Sequence, residues 1–343
     1  MERARVNGLV DPGRVVGWAG VFPAAMTMFS KSGDLDEEST GRHLENLIGN
    51  GAHGLVVAGT SGEFIGLTEA ERRRLIAVAV SVVNHRVPLI VGTGYFSTRE
   101  TIRLTEFAAA QGADGAIVIL PYYQRPSPAE VAQHYRMIAQ AVRLPIMLYN
   151  NAGNSGAPAI DAVGIRALFE EGALSAGKST AATVHEIHEL APRGSGDLKV
   201  FYGSFMAPLE AMAGGADGWI SGILNVVLPD AISLWSAMQA QDLTLARRVW
   251  GRILQIRNIY TRQQVGSVSD LAIYRAILNL RGAKGGYCRP PLLDLTAEQY
   301  GLLEAILTEA EIGPNTTIGG VNRPNIATEP AIAPLSASRS ALP

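Results

Sequence analysis

The chain has 343 residues, enough to bury a large core in one domain or two. Hydrophobic residues make up 47%, charged residues 17%, and the formal net charge is -2, which describes a soluble globular protein with no electrostatic basis for binding nucleic acid or a membrane surface. Its one cysteine, Cys288, excludes an internal disulfide framework and fits a reducing cytoplasm.

In chain order, residues 1–15 read as an extension without a clear period. The charges at Glu2, Arg3 and Arg5 have no apolar run behind them, so no signal peptide is expected. Residues 20–29 read as a buried first strand, residues 36–50 as an amphipathic helix stopped by Gly51, and residues 55–58 as a second strand. Thr68 with Glu71 marks a capping box, and the helix it opens runs to Asn84 before a strand at 88–92. That apolar stretch, 75–91, is interrupted by Asn84, His85, Arg86 and Pro88 and is no membrane span. Further helix starts at Ser97 and Ser127 alternate with strands at 115–120 and 145–149. The series continues with a helix at 161–171, a strand at 173–179, a helix near 183–190 and a strand at 199–202. A helix at 206–213 and a strand at 218–222 complete it.

Eight short apolar strands alternating with helices predict a parallel sheet covered on its outer face, and eight such units predict a (β/α)8 TIM barrel. After Leu228 only helices are expected, at 230–241, 243–264, 267–281 and 296–309. The domain boundaries read as an extension over 1–15, a barrel over 16–228, a helical C-terminal extension over 229–312 and a flexible tail over 313–343.

Barrel enzymes keep their chemistry at the carboxyl ends of the strands. The second strand runs into Gly59-Thr60-Ser61-Gly62-Glu63, whose hydroxyls and amides can hold a carboxylate, although an ordinary glycine-rich turn has the same letters. The fifth ends at Tyr149-Asn150-Asn151, where a phenol can relay protons or simply fill the core. The sixth carries Lys178. With Leu174, Ala176 and Lys178 on one face and no acid at the ends of the neighbouring strands, burial favours a neutral amine, the form that attacks a carbonyl.

Three motifs point elsewhere and are set aside. Gly172 to Ser179 satisfies the letters of a phosphate loop, but helix precedes Gly172 and the residues before Lys178 are themselves the strand. His185-Glu186-Ile187-His188-Glu189 spaces its histidines three apart rather than four, so it reads as a polar helix at the surface and no metal site is expected. Gly92-Thr93-Gly94 lacks the third glycine of a dinucleotide fingerprint.

With these strand ends in place, residues 20–307 resemble the dihydrodipicolinate synthase and N-acetylneuraminate lyase family of class I aldolases. Five motifs carry the resemblance in order: Gly20-Val-Phe-Pro, Gly59-Thr-Ser-Gly-Glu63, Pro121-Tyr-Tyr-Gln-Arg-Pro126, Tyr149-Asn150 and Gly177-Lys178. The resemblance implies that Lys178 forms an imine with the oxo group of pyruvate or a 2-oxo acid, that Tyr149 shuttles a proton, and that Thr60 joins Tyr149 to the relay. It implies that Ser61, with backbone amides such as that of Gly62, holds the substrate carboxylate and that the Ile220 carbonyl borders the imine pocket. Tyr123 would reach into a neighbouring subunit of a homotetramer built as a dimer of dimers. No cofactor is implied, because the protonated imine is itself the electron sink.

This chain departs from the family at Asn154, where the synthases that condense pyruvate with aspartate semialdehyde carry an arginine, and at Ala152, where proline is usual. Without the cation a second carboxylate loses its clamp, which argues against that condensation. The expected activity is a cytoplasmic lyase or dehydratase on a 2-oxo-3-deoxy sugar acid, with Asn151, Asn154 and Ser204 as hydroxyl partners. The alternatives are the synthase-type condensation, a non-catalytic barrel that binds 2-oxo acids, and a nucleotide-binding protein.

Overall fold

A computed structural model of the chain describes residues 16–181, 183–191 and 198–310. Its centre is a ring of eight parallel strands. These are β1 (Gly20–Pro23), β2 (Leu55–Val57), β3 (Leu89–Gly92), β4 (Gly115–Ile119), β5 (Ile146–Asn150), β6 (Ala176–Ser179), β7 (Lys199–Tyr202) and β8 (Gly218–Ser221). Strands β2 to β8 pair in sequence order and β8 pairs with β1. The last seam, between β1 and β2, is closed by a parallel bridge from Ala24 to Val56, with the Ala25 amide donating to the Val56 carbonyl at 2.8 Å. The architecture is the (β/α)8 barrel with further helices at its C-terminal end.

The two-residue period of each strand sorts its side chains between two cores. Phe22, Ile90, Ile117, Met147, Ala176, Phe201 and Ile220 fill the barrel interior. Their neighbours Val21, Val91, Val118, Leu148 and Val200 face the helices. Both faces are apolar because both are covered.

The first helices start where side chains can cap them. Asp36, Thr68, Ser97 and Ser127 accept amides at the heads of α1 (Glu37–Gly49), α2 (Glu69–Val83), α3 (Thr98–Gln111) and α4 (Pro128–Ala141), and Thr68 and Ser127 complete capping boxes with Glu71 and Glu130. A single turn, α5 (Ala152–Ser155), is capped by Asn151 just past β5. The barrel continues through α6 (Ala162–Glu170), α7 (His185–Leu190) and α8 (Pro208–Ala213). The remaining helices are α9 (Leu224–Gln239), α10 (Leu243–Thr261), α11 (Asp270–Leu280) and α12 (Ala297–Glu309).

Three local expectations change. The first strand stops at Pro23 and not at Phe29, because the donors beyond it turn to side chains: the Met26 amide to Asn225 Oδ1 at 3.2 Å and the Met28 amide to Thr40 Oγ1 at 3.0 Å. Those residues are buried without being sheet. The helix expected from Asp230 begins at Leu224; it bends at Val227 (φ -125°), where Pro229 interrupts the helical ladder, so a boundary at residue 229 falls inside a helix. Strand β6 begins at Ala176, and Leu174 packs with the outer core rather than sharing the inward face of Ala176 and Lys178. The tail from residue 313 lies outside the described residues.

Candidate active site

The carboxyl ends of the strands open into a cavity of about 260 Å³. Its wall takes Gly59, Thr60 and Ser61 from the β2 loop, Tyr149 and Asn154 from β5 and the turn after it, and Lys178 and Thr180 from β6. Gly203 and Ser204 follow β7, Ser221 ends β8 and Gly222 follows it.

Register explains how Lys178 and Tyr149 meet. Tyr149 on β5 pairs with Lys178 on β6, which pairs with Phe201 on β7, so all three point into the barrel at one level. Lys178 is 6% exposed and its Nζ stands 3.9 Å from the centroid of the Tyr149 ring. No carboxylate among the described residues pairs with this amine. Room for the lysine stem comes from Gly203: a β-carbon there would stand 2.5 Å from Lys178 Cε and 2.6 Å from Thr180 Cγ2.

The phenol oxygen of Tyr149 accepts from Asn151 Nδ2 at 2.9 Å, while Asn151 Oδ1 caps the short turn α5. Asn151 also lines the cavity, with its amide nitrogen engaged by the tyrosine and its oxygen by the backbone. No hydrogen bond joins Thr60 to Tyr149 among the described residues; Thr60 lines the cavity from the 3-10 turn Thr60–Gly62. Ser61 and Gly222 close on each other, since a β-carbon on Gly222 would lie 2.5 Å from Ser61 Oγ. The Gly62 amide donates to the Gly59 carbonyl at 3.0 Å, and its carbonyl accepts from Thr27 Oγ1 at 2.7 Å, so Gly62 supports the turn from behind.

Of the other residues singled out from the sequence, Asn154 and Ser204 lie on the wall. Ile220 is buried in the barrel interior, and the border at that strand is formed by Ser221 and Gly222. Tyr123 is outside the cavity. It is 86% exposed with φ 78°, a left-handed backbone held by the hydrogen bond its amide donates to the Ser155 carbonyl at 3.1 Å.

Two supports behind the wall were not legible as such. Glu186, expected on a polar helix face, reaches from α7 to Asn150 Nδ2 and Ser179 Oγ and ties together the ends of β5 and β6. Burial pushes its carboxyl above the ordinary range, against those hydrogen bonds. Beneath the β2 loop, Glu63 adopts φ 53° and pairs with buried Arg275 of α11. The same guanidinium donates to the carbonyls of Thr27 and Gly285 at 2.8 and 2.7 Å. The third residue missed is Asp270, the first of α11, which lines the cavity. An acid following a serine at a helix start looks like ordinary capping, which hides it.

Lys178 lies inside β6 and no helix begins at it, so the phosphate-loop letters are not a phosphate loop. Among the described residues no helix is long and apolar enough to cross a membrane.

A barrel that presents an amine and a phenol to one small cavity is equipped for carbon–carbon bond chemistry of the aldolase type. The Dihydrodipicolinate synthetase family model matches residues 18–310, and the chain belongs to that family, whose members are aldolase-type lyases. It is 34% identical to a 4-hydroxy-tetrahydrodipicolinate synthase from Geobacter sp. (85% of this chain, 99% of the relative). Identity to a protein of the same name from Oceanobacillus iheyensis is 31% (85% and 97%). Among solved structures it is similar to a prophage protein of the dihydrodipicolinic acid synthase family from E. coli K12 in complex with pyruvate. That likeness has a TM-score of 0.80 and 27% identity, over 86% of this chain and 99% of the other. The curated relatives carry the synthase name, so the departure at Asn154 does not by itself remove the chain from that group.

Proposed function

We propose that the protein is an imine-forming lyase that cleaves or dehydrates a 2-oxo-3-deoxy acid. The observation that carries this reading is the buried amine of Lys178, paired with no carboxylate among the described residues and set on the ring face of Tyr149 in the cavity at the strand ends. Lys178 Nζ attacks the C2 carbonyl; the new N–C bond displaces the oxygen as water, with Tyr149 moving protons at that oxygen. In cleavage the C3–C4 electrons pass to the imine nitrogen, the C4 hydroxyl loses its proton as an aldehyde leaves, and the enamine takes a proton at C3. Hydrolysis then returns pyruvate and the free lysine. Dehydration starts from the same imine, with loss of the C3 proton and a hydroxide from C4. Ser61, against Gly222, is the group placed to hold the 1-carboxylate, and Thr60 faces the same space. Support for pyruvate comes from the E. coli relative bound to it. In an oligomer of this chain, exposed Tyr123 is the residue a second copy would cover.

The test is borohydride reduction with pyruvate followed by peptide mass mapping. The expected result is one adduct, on the peptide holding Lys178, absent from Lys178→Ala. No adduct on the parent protein rules the mechanism out.

A second reading, synthase-type condensation with an aldehyde that bears its own carboxylate, is favoured by the names of the curated relatives. It needs a cation near Asn154. Arg125 stands nearby, with Nε 3.9 Å from where a β-carbon on Gly156 would sit, but it is exposed and not on the wall. Condensation of pyruvate with aspartate semialdehyde that Arg125→Ala abolishes would favour this reading over the first.

A further inference from the structure

Among the described residues, only two charged residues line the cavity, Lys178 and Asp270. Once Lys178 has joined a carbonyl its charge is carried by the protonated imine at C2, so Asp270 is the charge on the wall that is left to meet the rest of the substrate. It arrives from the C-terminal helices, at the first position of α11, where Ser269 Oγ accepts the Leu271 amide at 3.2 Å. One turn further along, Tyr274 is 2% exposed, with a ring carbon 3.5 Å from where a β-carbon on Gly222 would stand, behind Ser61. The Tyr274 phenol is an electrostatic neighbour of the Asp270 carboxyl. Helix α11 cannot slide, because the next residue, Arg275, is anchored to Glu63, Thr27 and Gly285. The carboxyl is thus a held feature of the wall, not a surface acid that happens to reach it.

We propose that Asp270 is a specificity-determining residue that accepts hydrogen bonds from the hydroxyl groups on the distal half of the substrate and excludes substrates ending in a second carboxylate. The assignment rests on the imine reading. An acid cannot share the subsite of the 1-carboxylate, so it faces the remainder of the molecule. There it is an acceptor for a polyol and a like charge for a diacid. The same wall carries neutral partners, Asn154 and Ser204, and no guanidinium. The substrate class it selects is a 2-oxo-3-deoxy monoacid with a neutral hydroxylated chain. Enclosure pushes the Asp270 carboxyl above the ordinary carboxylate range, which its hydrogen-bond partners oppose, and a hydroxyl donor from the substrate would favour its ionised form further.

The experiment compares kcat/KM for 2-oxo-3-deoxy acids ending in CH2OH with that for chain-length-matched acids ending in a carboxylate, in the parent and in Asp270→Asn, with borohydride trapping of pyruvate on the parent run alongside. The expected parent prefers the neutral-ended acids by at least roughly tenfold, from like-charge exclusion. Asp270→Asn should lose roughly ten- to hundredfold on those acids, chiefly through KM, and narrow the ratio. A parent that traps pyruvate yet prefers diacids, or a ratio unmoved by Asp270→Asn, overturns the assignment while leaving the imine reading intact. A parent that fails to trap pyruvate overturns both. Should Asp270→Asn not fold, the parent's ratio decides alone, and equal turnover of the two classes overturns the proposal.

Discussion

The phenol of Tyr149 accepts one hydrogen bond from Asn151, which leaves its own proton free to be donated in the cavity it shares with Lys178. Removing that hydroxyl should damage proton movement more than binding. Tyr149→Phe is expected to lower kcat by about 10²- to 10⁴-fold, followed as pyruvate release, with the Lys178 adduct still forming over longer incubation. An unchanged kcat would take Tyr149 out of the reaction. At this scale the sequence was readable for the place of Lys178 and Tyr149 in one cavity, because a polar group at the end of an apolar strand costs free energy to bury away from partners and so marks the open end of the barrel. It was not readable for Asp270, whose letters match a helix cap, or for Glu186, whose burial depends on two strands about 36 and 7 residues away in the chain. Pairing of that kind is set by the closed barrel and leaves no local pattern.

The strand ends act as elements, and two of them give direct tests. Gly203 at the end of β7 leaves the space that the lysine stem occupies. Gly203→Ala must displace both Lys178 and Thr180 and press on the Ser179 carbonyl, and the trapping rate with pyruvate is expected to fall by roughly 10²-fold with little change in circular dichroism. A trapping rate equal to the parent's would mean that the lysine has slack the packing denies. The β2 loop depends on the buried Glu63–Arg275 pair. Glu63→Gln strands a guanidinium in the core, and urea unfolding should show a loss of about 3 to 5 kcal/mol. A loss under ~1 kcal/mol, the scale of a surface pair, would mean water reaches Arg275. The strand and helix alternation was legible because both barrel faces are apolar and each early helix has a capping side chain. The start of α9 was not, since a proline in the sequence reads as a boundary even where the helix bends and continues.

For the whole molecule, acid stability follows from two buried histidines. His43 Nε2 donates to Asn225 Oδ1 at 2.7 Å, because Asn225 Nδ2 is already donating to the Ala24 and Gly222 carbonyls. His134 meets Thr98 at 2.8 Å. Burial lowers both imidazoles from 6.5 to about 4. The unfolded chain therefore binds these protons first as pH falls from 6.5 to about 4. Stability is whole above that window and declines within it, by about 1.4 kcal/mol per pH unit for each histidine. Asp230 and Glu186, raised by burial, work in the opposite direction and offset part of the loss. Urea unfolding across the window should show a shallower acid decline in His134→Gln than in the parent. Parallel slopes would mean that His134 is protonated in the folded state.

Helix α11 joins what the chain order suggests are separate parts. It follows the last barrel strand by 48 residues of other helix and loop, yet one face clamps the loop after β2 and its first residue enters the cavity. The ring of strands is therefore not a self-sufficient catalyst to which helices were appended. On the proposed role of Asp270, substrate preference becomes a transplantable property: exchanging the segment from Ser269 to Gly286 between two family members moves that acid and the clamp together. Such a chimera should inherit the preference of the donor of the helix while keeping the lysine chemistry of the donor of the barrel.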